Sequence, residues 1–544
     1  MSETVMELDQ NNVTETQVTV SNKKPFDLNR KDTVFKFIFC IASVLLTIFG
    51  VWGGFRGGFT VTALILFISM TVYFASKKTK IKPFALICGI LNCIASLNFL
   101  ITSNSTIRFF SVICMLLLSA VWFLSLLNLF GKESDYALIY NIIKPIALGS
   151  TANLPKAVVS IFASGKKGDK KFGKVLLGIA FSVPVLFIVV PLLMQSDAAF
   201  SGFVAKFFGD LTVNIFKVLI GLIIGIFLVS YCFTLKKQVL STPKRPNINK
   251  LDNTIVISFL SVLGVCYLMY LFSQLAYFFS AFKGILPDDF EFTFSAYARR
   301  GFFEMCVIAV INFIIIYATL LFSQKVNEKL GVISKILCTF IGFFTLIIIA
   351  TAISKMVLYI NSYGMTELRI TTSAFMIFLA VVFISVMLKL YMQKIRVLKV
   401  AIIASACVLC VLGVVNVNRF IAEYNYNAYK TEKLADIDVN AIYELGEEGV
   451  PYLIALTKDE DEDVSESAKE YIDIIVRDEV YYEIVDDEEN PNRKIINKKY
   501  CDIGQYSIAR NRAYTELLKY TKKNPDVLES DYFEEDYLDF NEYF

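Results

Sequence analysis

About eleven long apolar segments follow one another between Phe35 and Val417, and a polar, acidic stretch ends the chain. A helix that crosses roughly 30 Å of hydrocarbon needs about 20 apolar residues, because each residue adds about 1.5 Å. Segments of this length predict membrane-spanning helices. They fall at about 35–55, 58–76, 83–101, 107–130, 172–194, 213–235, 254–282, 302–322, 333–361, 370–392 and 397–417. The predicted fold class is an all-α integral membrane protein with a C-terminal, mainly helical extramembrane domain.

The segments divide the chain into a polar N-terminus (residues 1–34), a polytopic membrane domain (35–417) and a tail domain (418–544). The tail has roughly twice as many acidic as basic residues. Leu434, Ile437, Ile442 and Leu445 recur at helical spacing within it, which predicts packed helices. Residues 486–494 are predicted to be a turn or loop.

The charges of the loops predict the orientation. Alternate loops, beginning with the N-terminus, carry most of the lysines and arginines, and such loops stay on the cytoplasmic side. We therefore expect a multi-pass protein of the plasma membrane with a cytoplasmic N-terminus. An odd number of spans then puts the tail outside the cytoplasm. The expected partner is the lipid bilayer, and the basic excess is explained by topology rather than by nucleic-acid binding.

One stretch, residues 136–164, does not fit the series of spans. It is moderately apolar and is interrupted by Lys144-Pro145 and Pro155-Lys156. This pattern favours an interfacial or re-entrant pair of segments on the cytoplasmic face. A single crossing here would reverse the position of the tail.

The composition excludes several kinds of chemistry. The 544 residues include no histidine, which removes the commonest general base and zinc ligand. No phosphate-binding glycine motif follows a strand, and the pair Cys407 and Cys410 falls within an apolar segment. We therefore expect no catalytic site, no cofactor and no metal centre, and a protein that is not an enzyme.

Ionisable side chains near the ends of apolar segments are costly to place in a membrane, so they are candidate functional residues. In the predicted topology one group shares the outer membrane surface, beneath the tail. It forms the candidate polar cluster Asp197, Arg299, Arg300, Glu304, Lys355, Tyr359, Glu367 and Arg369. Arg300 and Glu304 are four residues apart and can pair on a helix. The cluster is either a ligand site or a set of ion pairs and anchors that fix helix ends.

Three segments carry a resemblance to a known family: YARRGFFE (297–304), LYINSYGMTELR (358–369) and the start of the tail over residues 416–453. They resemble a bacterial family of polytopic membrane proteins catalogued as domain of unknown function four-one-seven-three, related to four-one-five-three. The resemblance implies a bacterial membrane protein with a C-terminal extramembrane region. It implies no activity and no catalytic residues.

Three functions are compatible with these patterns. The first is a non-enzymatic envelope protein that senses or scaffolds through its outer polar cluster and tail, with an envelope protein or a lipid head group as partner. The second is a secondary transporter or channel, favoured by the number of spans and by Lys355. The third is a membrane enzyme for lipid-linked substrates that uses Asp197, Asp288 or Glu304. The uneven division between an apolar body and an acidic tail favours the first.

Overall fold

The computed structural model describes residues 30–75, 81–127, 129, 135–162, 182, 185, 189–190, 192–237, 251–283, 302–323, 331–392, 394–477, 482–486, 494–498 and 503–528. Within these ranges ten helices are long and apolar enough to cross a membrane. Ten of the predicted spans are thereby confirmed, together with the all-α, multi-pass fold class. The predicted span at 172–194, with its two prolines, lies largely outside the described residues.

Within the described residues the membrane body contains twelve helices. They are α1 (Arg30–Leu45, continued by a π-helical turn over Leu46–Val51), α2 (Gly57–Phe74), α3 (Pro83–Ile101), α4 (Ser105–Leu126), α5 (Asp135–Lys144, continued by a π-helical turn over Pro145–Gly149), α6 (Ser150–Phe162), α7 (Ala198–Lys237), α8 (Asn253–Lys283), α9 (Phe302–Phe322), α10 (Val332–Tyr363), α11 (Glu367–Tyr391) and α12 (Val397–Val415).

These helices pack around two apolar cores. The first bundle consists of α1 to α4, α7 and α12, with α5 and α6 packed against it. The second bundle consists of α8 to α11. The two bundles meet where α11 packs against α12. Many large apolar side chains on the outer sides of both bundles are exposed, as expected for surfaces that face lipid tails.

Small residues allow close packing between α1 and α7. Gly221 and Gly225 of α7 lie against Val44 and Cys40 of α1, where an added Cβ would come within 2.6 and 2.8 Å of the two Cα atoms. The G-x-x-x-G pattern is therefore a packing surface here. The contacts also show that α1 and α7 run in opposite directions.

The tail folds as a separate set of small elements on one end of the body. These are α13 (Val417–Lys430), α14 (Val439–Tyr443), α15 (Val450–Leu456), α16 (Glu462–Arg477), β1 (Tyr482–Asp486), β2 (Lys494–Lys498) and α17 (Ile508–Lys523), with short 3-10 turns at Gly446–Glu448, Ile503–Gln505 and Pro525–Leu528. The two strands pair antiparallel, with Ile484 opposite Ile496. Most of the predicted loop at 486–494 lies between these strands and outside the described residues, and the strands themselves were not predicted from the sequence.

The tail and the body share a continuous core. The apolar core of the tail includes Ile107 from α4, and Met365, Ile370 and Leu412 of the body pack against it. We call this end of the body, where α1 ends and α2 begins, the tail face, and the other end the opposite face. The tail is therefore seated on the tail face rather than suspended from α12.

Candidate functional site at the tail face

The loop between α1 and α2 presents one charged side chain to the tail. Gly54 and Phe55 have positive φ values of 74° and 52°, which turns the chain sharply and leaves Arg56 at the surface of the loop. Its guanidinium pairs with Glu447 of the tail, whose side chain is only 3% exposed. The Arg56 Nη1 also donates to the Ser507 hydroxyl at 3.3 Å, and that hydroxyl lies 3.1 Å from the second Glu447 oxygen. A buried charge on the tail is thus neutralised by the body.

The neighbouring Glu448 contacts a different loop. The backbone N–H of Ser103, between α3 and α4, donates to one carboxylate oxygen at 2.8 Å, and the Ser103 hydroxyl donates to the other. Burial raises the pKa of the Glu448 carboxyl, because removing water disfavours its charged form. The two adjacent glutamates, which follow Gly446 at a φ of 66°, therefore attach the tail to two loops of the first bundle.

Glycines let the backbones of tail and body approach closely. The carbonyl oxygen of Phe49 lies 2.2 Å from the position of an added Cβ at Gly53, 2.1 Å at Gly58 and 2.3 Å at Gly504 of the tail. The N–H of Gly57 donates to the carbonyl of Tyr506 at 2.9 Å. A side chain at Gly504 would collide with backbone, which cannot yield as a flexible side chain can.

Asparagines connect the start of the tail to the α3–α4 loop. Asn416 has a φ of 55° and separates α12 from α13, and its amide donates to the carbonyl of Ile101 at 3.0 Å. Two residues later, Asn418 accepts a hydrogen bond of 2.8 Å from the Asn104 amide. Its own amide donates to Leu445 in the tail at 3.3 Å. These contacts fix the direction in which the tail leaves the membrane body.

The second bundle also holds the tail. Asn425 of α13 accepts a hydrogen bond of 2.7 Å from the N–H of Met365 and donates one of 2.8 Å to the carbonyl of the same residue. Met365 lies in the turn between α10 and α11, where Gly364 has a φ of 74°. The side chain of Asn425 thus pairs with both backbone polar groups of Met365, as a residue of a neighbouring strand would.

Two of the predicted cluster residues stabilise that same turn. The Arg369 guanidinium lies 4.1 Å from the centre of the Tyr359 ring, a cation–π distance. Arg369 also donates to the carbonyl of Tyr363 at 2.9 Å and to that of Gly364. Arg369 of the body therefore stabilises the turn that Asn425 contacts.

Comparison with known proteins identifies the family. A profile described as a domain of unknown function, DUF4153, matches residues 86–456, about two thirds of the chain. The chain belongs to the DUF4153 family. The resemblance read from the sequence is confirmed, and the matching profile is that of the related family named with it. No curated protein and no solved structure matches the chain.

The DUF4153 match extends beyond the membrane body. It ends with α15, so it includes the start of the tail, Asn425 and both buried glutamates, together with the Met365 turn and Ser103. Arg56 and Ser507 fall outside the matched range. The matched range therefore covers the membrane body from α3 onward and the first helices of the tail. Arg56 and Ser507 add contacts from before and after that range.

The structure describes four of the other predicted cluster residues in this DUF4153 chain. Asp197 and Glu304 are exposed, and Glu367 is partly exposed at the start of α11. Lys355 is buried in α10, one helical turn before Tyr359. Arg299 and Arg300 lie outside the described residues, and so does the predicted Arg300–Glu304 pair. Among the six described residues of the cluster, Arg369 lies over the ring of Tyr359.

Sequence reasoning missed the residues that join tail to body. In the sequence Arg56 is one of several loop charges, and Glu447 and Glu448 are part of an acidic tail. Adjacent glutamates between two glycines, and an arginine between two glycine pairs, were the available signals. Neither reveals a partner, because Arg56 and Glu447 are 391 residues apart.

The contacts of this interface attach the tail to the membrane body. Among the described residues no group of three cysteine, aspartate or glutamate side chains is placed to hold a metal ion. The Ser507 hydroxyl is occupied as the N-terminal cap of α17, accepting from the Arg510 N–H at 3.1 Å. The arrangement holds a folded tail in one position relative to both bundles.

Proposed function

We propose that this DUF4153 protein is a non-enzymatic sensing or scaffolding protein that acts through its tail. One observation carries the proposal: the tail is attached by buried polar contacts to both bundles of the membrane body. Glu447 and Glu448 contact loops of the first bundle, and Asn425 contacts the second. A shift of one bundle against the other would therefore move the tail, and a partner bound to the tail could detect that movement.

The proposed orientation has the tail outside the cytoplasm. The opposite face is rich in basic residues, as a cytoplasmic face is: Lys36, Lys82, Lys236, Lys335, Lys389, Arg396 and Lys399. The contacts on either side of residues 163–213 are also consistent with an odd total number of membrane crossings. Ser160 contacts Lys36 at the opposite face, whereas Phe216 contacts Trp52 at the tail face, so the chain changes sides between them.

Cys501 of the tail tests this orientation. We expect a membrane-impermeant maleimide to label Cys501 in intact cells, with Cys501→Ser as the control for the cysteines of the spans. Labelling that requires lysis would place the tail inside and would remove the envelope from the proposal.

Complementation tests the function. In cells that depend on the gene, a chain that lacks residues 420–544 should fail to complement, and Glu447→Gln should be impaired because it weakens the attachment to Arg56. The matched control is Glu423→Gln, which removes an exposed carboxylate whose pair with Arg419 contributes little. Full complementation by the truncated chain would exclude the tail as the acting module.

A secondary transporter or channel is the second candidate. Its specific support is the division of the body into two bundles that meet at one pair of helices, since many transporters move one bundle against another. Purified protein in liposomes should then carry an ion or solute across the bilayer. Absence of flux over a broad panel of solutes, with the tail intact, would count against transport and would leave the first proposal standing.

A further inference from the structure

A long helical segment without an assigned role lies at the opposite face. Helix α5, the π-helical turn that follows it and α6 are contiguous, so residues 135–162 form one helical stretch of about 40 Å at about 1.5 Å per residue. Pro145 and Pro155, which the sequence pattern predicts to be interruptions, do not end it. Pro145 begins the π-helical turn, whose wider hydrogen-bonding pattern accommodates the missing N–H, and Pro155 lies within α6.

The contacts of this helix all lie near the same end of the membrane body. Asp135 pairs with Lys389, close to the end of α11. The Asn141 amide donates to the carbonyl of Leu129 just after α4, at 3.3 Å. Farther along, Asn153 donates to Thr234 near the end of α7 at 3.0 Å, and the Lys36 ammonium near the start of α1 reaches the carbonyl of Ser160.

The depth of these contacts shows how the helix is oriented. Gly225 of α7 lies beside Cys40 of α1, so Ser230 and Lys36, each about one turn farther toward the opposite face, are at similar depth. The Ser230 hydroxyl donates to the carbonyl of Ser150, and Lys36 contacts Ser160. Ten residues of α6 thus advance by about 15 Å with little change in depth. The helix runs along the face rather than across the bilayer.

The two sides of the helix differ in what covers them. Buried residues recur at helical spacing and pack against the body; they are Leu138, Asn141, Ile142, Pro145, Ser150, Ala157 and Val158. Among the described side chains the other side is exposed and mainly apolar, with Ile139, Ile143, Ile146, Leu148 and Val159 between 39% and 69% exposed, and it also carries the exposed Thr151 and Lys156. An apolar side this long would be unstable against water.

We propose that residues 135–162 form an in-plane helix whose exposed apolar side is inserted at the boundary between head groups and acyl chains of the leaflet on the opposite face. The position at the ends of four spans puts the helix at that depth. Lys144 and Lys156 lie along it, and long basic side chains extend from such a depth to the head groups. Lys82, Lys335, Arg396 and Lys399 of this face are partly exposed and match anionic lipids. The inference concerns the face away from the tail and does not depend on the proposed function.

Quenching by brominated lipids tests the insertion. Leu148→Trp and Ile143→Trp would each be made in the full chain and reconstituted in vesicles of phosphatidylcholine and phosphatidylglycerol. Lipids brominated near the carbonyl end of the chain should quench the added fluorescence more strongly than lipids brominated near the chain end. Trp52 and Trp122 are present in every variant, so the increment over the parent protein is the quantity compared.

Lys458→Trp, at an exposed position of the tail, is the matched control and should be unaffected by either lipid. Two results would overturn the proposal. Absence of quenching at both positions would put this side of the helix in water or against protein, and strongest quenching by the deep bromines would indicate a crossing. Unchanged thermal unfolding of each variant establishes that it is folded, and the two positions serve as independent readouts.

Discussion

At the scale of single residues, the Arg56–Glu447 pair is the contact whose loss should be felt most. Glu447 is almost fully buried, and removing one partner of a buried pair leaves the other charge without compensation, at a cost of about 3–5 kcal/mol. We expect Arg56→Met to release the tail locally, measured as faster amide hydrogen exchange over residues 446–456 and faster proteolysis of the tail.

Arg419→Met is the control for that variant. Arg419 and Glu423 are both about half exposed and 4.0 Å apart on α13, so their pair is screened by water and its loss should leave exchange nearly unchanged. Equal effects of the two substitutions would show that the buried pair does not hold the tail.

Glu448 gives the tail a dependence on pH. Burial raises its pKa in the folded state, so folding favours the protonated form. Its contribution to tail stability is therefore greatest below the pKa of the unfolded chain and declines as the pH rises through the folded pKa. The groups that face it are the Ser103 N–H and hydroxyl, Glu447 and Arg108.

Glu448→Gln isolates that contribution, because other groups of the tail titrate in the same range. As the pH falls from neutral into the mildly acidic range, the wild-type tail should gain stability relative to the variant, followed as protection from hydrogen exchange at each pH. A difference that is constant with pH, or that changes in the opposite direction, would contradict the assignment to Glu448.

A glycine can be tested in the same interface. Gly504→Ala would bring a methyl group to 2.3 Å from the Phe49 carbonyl oxygen, so the segment from Ile503 to Ser507 must move away from the body. We expect loss of protection at Gly57, whose N–H bonds to Tyr506. Gly331→Ala, which has open space around it, is the control and should leave that protection intact.

At the scale of elements, the spans were predictable and the attachments were not. Apolar length alone determines a crossing, so ten spans could be read from local composition. The β1–β2 hairpin depends on a pairing partner, which no local pattern records. The pattern of residues 136–164 favours an interfacial or a re-entrant path but does not distinguish the two, because that choice depends on depth. Among the candidate residues, Tyr359 and Arg369 were found because one short segment contains both, whereas Arg56 and Glu447 come together only through the fold.

The contact of Asn425 in α13 with the α10–α11 turn joins two elements, and the free energy lost on breaking it can be bounded. Asn425→Ala leaves the N–H and the carbonyl of Met365 without their partner, and each buried unpaired group costs about 1–3 kcal/mol. We expect increased hydrogen exchange in the turn and along α13. Asn427→Ala, exposed on the same helix, should change neither, and a similar response from both would assign the effect to helix propensity instead.

At the scale of the whole molecule, contacts at both faces join the two bundles, one at each end of the seam where α11 packs against α12. At the tail face the tail joins them, through Arg56 on one side and Met365 on the other. At the opposite face α5 joins them, because it packs on the first bundle and its Asp135 pairs with Lys389 of the second. While either contact is intact, it limits how far the bundles can tilt apart.

This arrangement predicts that the two contacts are coupled although they lie at opposite ends of the body. Distant substitutions usually act additively, within about 0.5 kcal/mol. Lys389→Met and Asn425→Ala should depart from that rule. Each substitution alone weakens the contact at one face, whereas the two together remove both contacts that join the bundles. The double variant should therefore lose more stability than the two single variants combined. The measurement is a double-mutant cycle on thermal unfolding in lipid nanodiscs, with Asn427→Ala in place of Asn425→Ala as the uncoupled reference. Additive losses would mean that the packing of α11 against α12 holds the bundles by itself, so that the tail follows one bundle and cannot report the position of the other.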